Sequence, residues 1–554
     1  MIRDVAELDD GMVLRAEVGV VGAGFAGIDL TRYLARHGVH VVLLESGRLE
    51  FDPAIQALAR TSSVGMQIRI PDPDGGFTPY LEPIYRGETR LRQFGGTSNI
   101  WTGKWRTFDA LDFEERSWIP YSGWPIGIED LRPFYAEVAR EYGLADFDGF
   151  ARNASNHRLR KVAAPAGLKQ SFHYWQKEPL RLSGMFRQES ERSANIDIVL
   201  GASATEIVLD PDLEHVRAVG FRSLDGRRFT LSAGYVVLAV GGQEAPRLLL
   251  ASNRQIPAGI GNGRDLVGRF YMDHPKHKRG KLWPSRAMKM FAHHCATEPR
   301  PRFHTSFSLS DEVQRAQSLL NHAIYFTPVY RYQREYPTES VEAIKAALRS
   351  ARVERLLPPA RALAASPGAV WKVVERVVYR DRGGPVAHYA SSMYVEQAPN
   401  PESRVYLGSE RDALGMPKLV VDWRPTPLDY EGFQRLLRGL TAALAQAGLG
   451  RLEFGPEPLT LDDTVDAAHH IGATRMAAAP VTGVVDRDCR VFGTDNLFIA
   501  SSSVFPTGHS AAPTFTIMAL ARRLGAHIIG LCSRAPGAQH RRHLGSGGPP
   551  PDRS

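Results

Sequence analysis

The stretch Val18-Gly-Val-Val-Gly-Ala-Gly-Phe-Ala-Gly27 restricts what this chain can fold into more than any other. A short β-branched run delivers Gly22, Gly24 and Gly27 at G-x-G-x-x-G spacing. Residues 28–36 follow with Leu30 and Leu34 four apart, the spacing of a helix face. His37-Gly38 ends that helix, and Val39-His-Val-Val-Leu-Leu44 reads as a second buried strand closing on Glu45. The pattern predicts a βαβ unit and hence a parallel sheet covered by helices. In such a unit Gly22 permits the tight turn, Gly24 lets a pyrophosphate approach the backbone, and Gly27 lets the helix pack closely. The helix N-terminus offers N–H groups and a positive dipole to phosphates. Glu45 stands where a carboxylate accepts both ribose hydroxyls. A dinucleotide site is expected, although the loop alone leaves NAD and FAD open, and a ligand-free glycine turn is the bland alternative.

The chain has 554 residues, room for two or three domains, and 43% apolar residues can fill their cores. Residues 71–107, rich in Gly, Pro and Thr, read as extended loop, and 126–142 as helix. Residues 195–231 alternate apolar and polar around Asp225-Gly226, the mark of a small meander. Residues 235–240 read as another buried strand, about 276–458 as a separate domain, and 496–530 as strand, loop and helix. The tail 533–554 is expected to be disordered. Lys plus Arg number 68 against 60 Asp plus Glu, spread along the chain, which argues against a nucleic-acid partner. Cys295, Cys489 and Cys532 lack metal spacing, so no metal is expected and a reducing cytoplasm fits. Neither a signal peptide nor a membrane span is expected. Lys345, Arg349, Arg352, Arg355 and Arg361 lie on a segment, 341–361, read as a solvated helix. Its alternative is a face for a membrane or an electron-transfer partner.

Further along, motifs recur in a specific order. They are Leu43-Leu-Glu-Ser-Gly47, Gly95-Gly-Thr-Ser-Asn-Ile-Trp-Thr102, Val237-Leu-Ala-Val-Gly-Gly242 and Val267-Gly-Arg-Phe-Tyr-Met-Asp-His-Pro275. After them come Pro399-Asn-Pro-Glu-Ser-Arg-Val405, His469-His-Ile-Gly-Ala-Thr-Arg-Met476, Gly483-Val-Val-Asp486 and Phe505-Pro-Thr507. Together they resemble the glucose–methanol–choline (GMC) oxidoreductases over nearly the whole chain. The resemblance implies an α/β fold: a Rossmann-like FAD-binding domain with an interleaved α+β substrate-binding domain. The expected boundaries are 1–110, 195–275 and 462–532 for the first, and 111–194 and 276–461 for the second. Gly96, Thr97, Ser98 and Asn99 would then contact the flavin, with Ala204, Ser501, Pro506 and Thr507 as further cofactor contacts. The family's covalent members use a histidine in the 95–102 loop; none stands there, so FAD is expected to be noncovalent.

The resemblance matches His469 to the family's catalytic histidine, a base for the hydroxyl proton while hydride leaves for the flavin. The family's second group, a His or Asn, falls on Ala512 of Ala512-Pro-Thr514, so that partner is missing. His509, Ser510 or Thr514 are the stand-ins, with His509 the chosen one. Ile100-Trp-Thr102 and Ser122-Gly-Trp-Pro-Ile126 resemble the sugar- and glycoside-oxidising branch. The expected reaction is oxidation of an alcohol of a sugar or glycoside, specifically the 6′-hydroxyl of an aminoglycoside, with oxygen as acceptor. The rivals are a dehydrogenase using a quinone or protein acceptor, a non-redox lyase, and an FAD-binding protein without activity.

Overall fold

The computed structural model describes residues 1–65, 89–144, 167–176, 178–277, 280–285, 302–331, 338–349, 356–379, 386–446, 448–454 and 467–534. Strands Ile2–Asp4, Ile196–Leu200, Val41–Glu45, Val13–Val21, Arg228–Leu238, Val216–Arg222 and Ser203–Leu209 form one sheet in that spatial order. Leu497–Ile499 pairs alongside Arg228–Leu238. The strands around the glycine loop are parallel, with Val18 opposite Val41 and Val21 opposite Leu44. Val20, Leu43 and Leu44 are fully buried, as continuous apolar runs must be when helices cover both faces of a parallel sheet. The βαβ start is therefore present, with the helix at Phe25–Arg36.

That first helix packs on the last one, Thr514–Arg534. Between them Asp29 accepts hydrogen bonds from Arg522 Nε (2.8 Å) and Nη2 (2.8 Å) and from the Tyr142 hydroxyl (2.6 Å). Thr514–Arg534 is the one helix among the described residues long and apolar enough to cross a membrane, at a mean hydropathy of 1.3. Here its Phe515, Met518, Ala519 and Leu524 are instead buried in the core shared with the first sheet.

A second, antiparallel sheet runs Gly450–Glu453, Lys281–Pro284, Val386–Tyr394, Ala323–Tyr330, Arg302–Leu309, Leu168–Trp175 and Lys104–Trp105. Helix Pro427–Gln446 covers it, burying Phe433, Leu436, Leu440 and Leu444 against Leu282, Phe307, Ile324 and Met393. A small third sheet joins Arg404–Arg411, Pro417–Trp423 and Thr61–Gly65.

Two helices of the expected substrate-binding domain make contacts with helices of the first domain. Helix Ile128–Glu141, expected in the substrate domain, packs on the last helix, with the Tyr135 hydroxyl 2.7 Å from Thr516 Oγ1. Helix Leu182–Arg192 reaches Arg32 of the first helix through Glu189. Both buried stripes find their complement on the first sheet's helices, which sequence order does not reveal. Within the basic segment the described residues form helices Thr338–Arg349 and Leu357–Ala364, and residues 350–355 lie outside the described residues. Arg352, Arg355 and Cys295 lie outside the described residues, as do residues 535–554 of the tail; Ser533 and Arg534 end the last helix. Cys489 and Cys532 are free thiols.

Removing one member of a buried ion pair strands its partner's charge, at a cost of about 3–5 kcal/mol. Arg522→Met should therefore destabilise the chain by about that amount in urea unfolding; a loss under about 1 kcal/mol would show that Asp29 is not held by this contact.

Candidate active site

A cavity of about 470 Å³ runs from the glycine turn to His469. At one end the three glycines play distinct parts. Gly22 has φ +101°, and a Cβ there would stand 2.7 Å from the Ala239 carbonyl oxygen. A Cβ on Gly27 would stand 1.8 Å from the Gly22 carbonyl oxygen, so this residue sets the helix-to-strand distance without lining the cavity. Gly24 has nothing within 4 Å of that position and faces the cavity with Ala23, Phe25 and Ala26. It precedes the first helix without a side-chain cap, leaving the first turn's N–H groups for an anion. Glu45 is buried at the adjoining strand end. Its Oε2 accepts from the Ala23 N–H (2.7 Å) and its Oε1 from the Gly47 N–H (2.6 Å). Burial raises its pKa above the ordinary carboxylate value even against those N–H groups. An open backbone cradle, a helix N-terminus and a strand-end carboxylate fit the pyrophosphate and ribose of a dinucleotide.

Of the expected flavin-loop residues, Gly96 and Thr97 line the cavity, with Ile100, Trp101 and Thr102 beside them. Ser98 and Asn99 do not. Ser98 Oγ accepts from the Leu182 N–H (3.3 Å) and Asn99 Oδ1 from Ser183 Oγ (3.1 Å), so both tie the loop to helix Leu182–Arg192. Ala204 and Ser501 line the cavity, whereas Pro506 and Thr507 stand behind its wall. Thr507 Oγ1 accepts from Trp124 Nε1 (2.8 Å) and donates to the Asp112 carbonyl (2.9 Å). A short polar motif shows that a loop is polar; only packing decides which of its side chains turn inward.

At the far end stands His469, on a segment that the carboxylate of Asp273 holds from one side. Asp273 Oδ1 accepts from the Ala467 N–H (3.0 Å), Oδ2 from the His469 N–H (3.1 Å) and Oδ1 again from the His274 N–H (2.6 Å). The clamp sustains a left-handed φ of 56° at Ala468, unfavourable for a residue with a Cβ. Next to it, His469 Nδ1 lies 2.8 Å from His274 Nδ1. Burial, then the charges of His274, Lys276, His470 and Lys104, push His469 well below the ordinary histidine value. Burial, then His509, lowers His274 to about 3; burial, then Arg90, lowers His470 to about 3.

His509, the expected second catalytic group, is displaced from that role. It is fully buried and does not line the cavity. Its ring stacks on Phe108 at 5.0 Å, Nδ1 accepts from the Ala511 N–H (2.6 Å), and Nε2 faces Asp112 at 3.1 Å and Asp109 at 3.3 Å. These three groups bring ligand atoms within 4.8 Å of one another. Their oxygens are committed to Arg106, Lys169 and Asn321, which makes the cluster an internal ion network. Of the other stand-ins, Ser510 is off the cavity and Thr514 lines it beside Ala512 and Pro513. Sequence reasoning missed Asp273, His274, Lys104, Lys276, Tyr325 and Tyr394. Only the Asp273-His274-Pro275 motif offered a signal, and it named no role.

The comparisons with known proteins agree with this architecture. Residues 399–521 match the C-terminal domain of the GMC oxidoreductases. The chain is 25% identical to a 2-methyl-1,2-propanediol dehydrogenase from Mycolicibacterium austroafricanum, over 93% of this chain and 95% of that one. It is 23% identical to a 6'''-hydroxyparomomycin C oxidase from Streptomyces lividus, over 92% and 90%. Its fold matches pyridoxine 4-oxidase from Mesorbium loti with a TM-score of 0.56 at 18% identity, covering 92% of this chain and 99% of that one.

Gly24→Val should retain native circular dichroism but lose bound flavin absorbance, because its side chain would occupy the phosphate approach; retained flavin would contradict that role. His274, His470 and His322 (about 4) are buried with pKa values below the 6.5 of the unfolded chain. The unfolded chain then takes up protons that the fold refuses. Stability should be full above about pH 6.5 and fall below it, by up to about 1.4 kcal/mol per pH unit for each group. Urea midpoints that are equal at pH 7 and pH 5 would refute neutral burial.

Proposed function

Because this chain is a GMC oxidoreductase in its fold and its C-terminal domain, we propose that it oxidises an alcohol group of a sugar or glycoside to the carbonyl, holding FAD noncovalently. The observation that carries the reading is His469, half-buried, neutral and on the same cavity as the glycine turn. Bound FAD would supply the hydride acceptor, with oxygen as the final electron acceptor in this reading. Gly22, Gly24 and the first turn of the helix would hold its pyrophosphate, Glu45 its ribose, and Gly96 and Thr97 its ring edge.

The chain's own part in the reaction is proton removal. A neutral imidazole can take the hydroxyl proton only on a nitrogen that carries none. His469 and His274 share one proton between their facing Nδ1 atoms. If His469 donates it, its Nε2 keeps a lone pair for the substrate hydroxyl, and His274 must carry its proton on Nε2. That atom is buried against the Gly508–His509 backbone. His274 is then a positioning residue that selects the basic tautomer of His469. Thr514 is the hydroxyl beside Ala512 that could orient the substrate oxygen.

The Streptomyces lividus relative supports an aminoglycoside alcohol as the specific substrate, whereas cations on the cavity wall oppose it. The second reading, a dehydrogenase with a quinone or protein acceptor, is favoured by the diol dehydrogenase relative. Stoichiometric hydrogen peroxide under air supports the oxidase; turnover only with an added quinone supports the dehydrogenase.

His469→Ala should lower turnover about 100-fold or more while flavin absorbance is retained. In the parent enzyme, kcat/KM should hold from pH 8 to pH 5.5, because the base form is lost only as pH falls through a value well below 6.5. An acid limb centred near pH 6.5, or full activity in the variant, would remove His469 as base.

A further inference from the structure

The helices that follow strand Ala323–Tyr330 and helix Thr338–Arg349 turn apolar side chains outward. Helix Pro367–Tyr379 packs on Leu357–Ala364, which packs in turn on Thr338–Arg349. At about 100° per residue, Val370, Trp371, Val374, Val377 and Val378 fall within one arc of about 120°. All five are exposed, Val377 by 72% and Trp371 by 62%. Lys372 and Glu375 fall outside that arc and are half-buried. A helix on the surface of a globular domain shows the reverse, with charges outward and apolar groups against the core. Leu357 and Leu348, on the two neighbouring helices, are exposed as well.

The composition of the helix sharpens the point. Five of its thirteen residues are valine, and a β-branched side chain loses χ1 freedom in a helix. Burial ordinarily offsets that cost, and on the outer arc the chain itself supplies none. An apolar face of this kind marks a docking surface.

Charge selects the occupant. Between Thr338 and the strand that begins at Val386, nine Lys or Arg stand against five Asp or Glu. Lys345 pairs with Glu342 at 2.6 Å, whereas Arg361 is exposed on the middle helix. A second copy of the chain would bring this positive segment against itself. An anionic bilayer complements both features, because Trp and aliphatic groups enter the boundary below the headgroups while basic groups meet the lipid charge.

We propose that helix Pro367–Tyr379 lies in the surface of an anionic lipid bilayer, with its Val370, Trp371, Val374, Val377 and Val378 arc turned into the lipid. The docking is peripheral, since thirteen residues rise only about 20 Å against a hydrocarbon core of about 30 Å. Helix Thr514–Arg534 has no part in it, because its apolar residues are buried in the core. The proposal is independent of the alcohol-oxidising reading.

The test sediments the flavin-loaded protein with vesicles of phosphatidylcholine alone and of phosphatidylcholine mixed with phosphatidylserine. Binding to the mixed vesicles should be saturable, at least about tenfold tighter than to the neutral ones, and weaker at high salt. Val374→Ser combined with Val377→Glu should weaken binding about tenfold or more, with thermal midpoint and flavin content unchanged. Trp371→Ser, a single exposed change, should weaken it about fivefold or more. Lipids with brominated acyl chains should quench part of the tryptophan fluorescence, and Trp371→Phe should bind but lose that quenching. Absence of vesicle binding, equal binding to both vesicles, or undiminished binding in both the double variant and Trp371→Ser overturns the proposal. So does quenching that persists in Trp371→Phe, because another face then meets the lipid. A concentration-dependent dimer that the double variant dissolves, without vesicle binding, also overturns it and assigns the face to a second copy.

Discussion

The site exists because the two ends of the described chain are joined across a buried ion pair. Asp29 on the first helix and Arg522 on the last meet with the Tyr142 hydroxyl in a buried pocket. Such a pair gains little over an apolar replacement, but it penalises every other pairing of these helices, because a misplaced partner leaves a buried charge alone. Its geometric consequence is local. With the last helix held against the first, Ala512, Pro513 and Thr514 reach the cavity that begins at Gly22. Segments nearly five hundred positions apart thus become walls of one chamber.

A second constraint operates at the His469 end. The Asp273 carboxylate collects N–H groups from His274, Ala467 and His469, fixing two imidazoles face to edge at 5.0 Å between ring centres. Burial keeps both rings neutral. Neutral rings with one shared proton form a tautomer pair, so the direction of a single hydrogen bond decides whether His469 accepts or donates at its other nitrogen. The reach of such a device is short, which explains why its parts are clamped by backbone contacts rather than carried on long side chains.

Charged groups line the cavity at both ends. Glu45 accepts from Ala23 in the glycine turn, and Lys104 and Lys276 act electrostatically on His469. The net charge of +8 says nothing of this, since an overall sum cannot report where charges face inward.

The βαβ start and the dinucleotide turn were legible in the sequence because each depends on local spacing, whereas His469 was singled out by the family resemblance alone. A strand must be apolar to be buried on both faces, and the turn must place glycine at position 22, where φ is +101° and a Cβ would stand 2.7 Å from a carbonyl oxygen. Those requirements hold before the chain has folded. The roles of Ser98, Asn99, Thr507 and His509 were not legible, because a polar side chain satisfies its hydrogen bonds equally well toward a cavity or away from it. Nor were Asp273, His274, Lys104 and Lys276, which become a site only by converging from distant elements. By itself the sequence determined the parallel dinucleotide core and the family resemblance. Tertiary structure alone decided which polar groups turn inward, which helices join which sheet, and which charges a substrate would meet, because these depend on packing between segments that carry no local trace of one another.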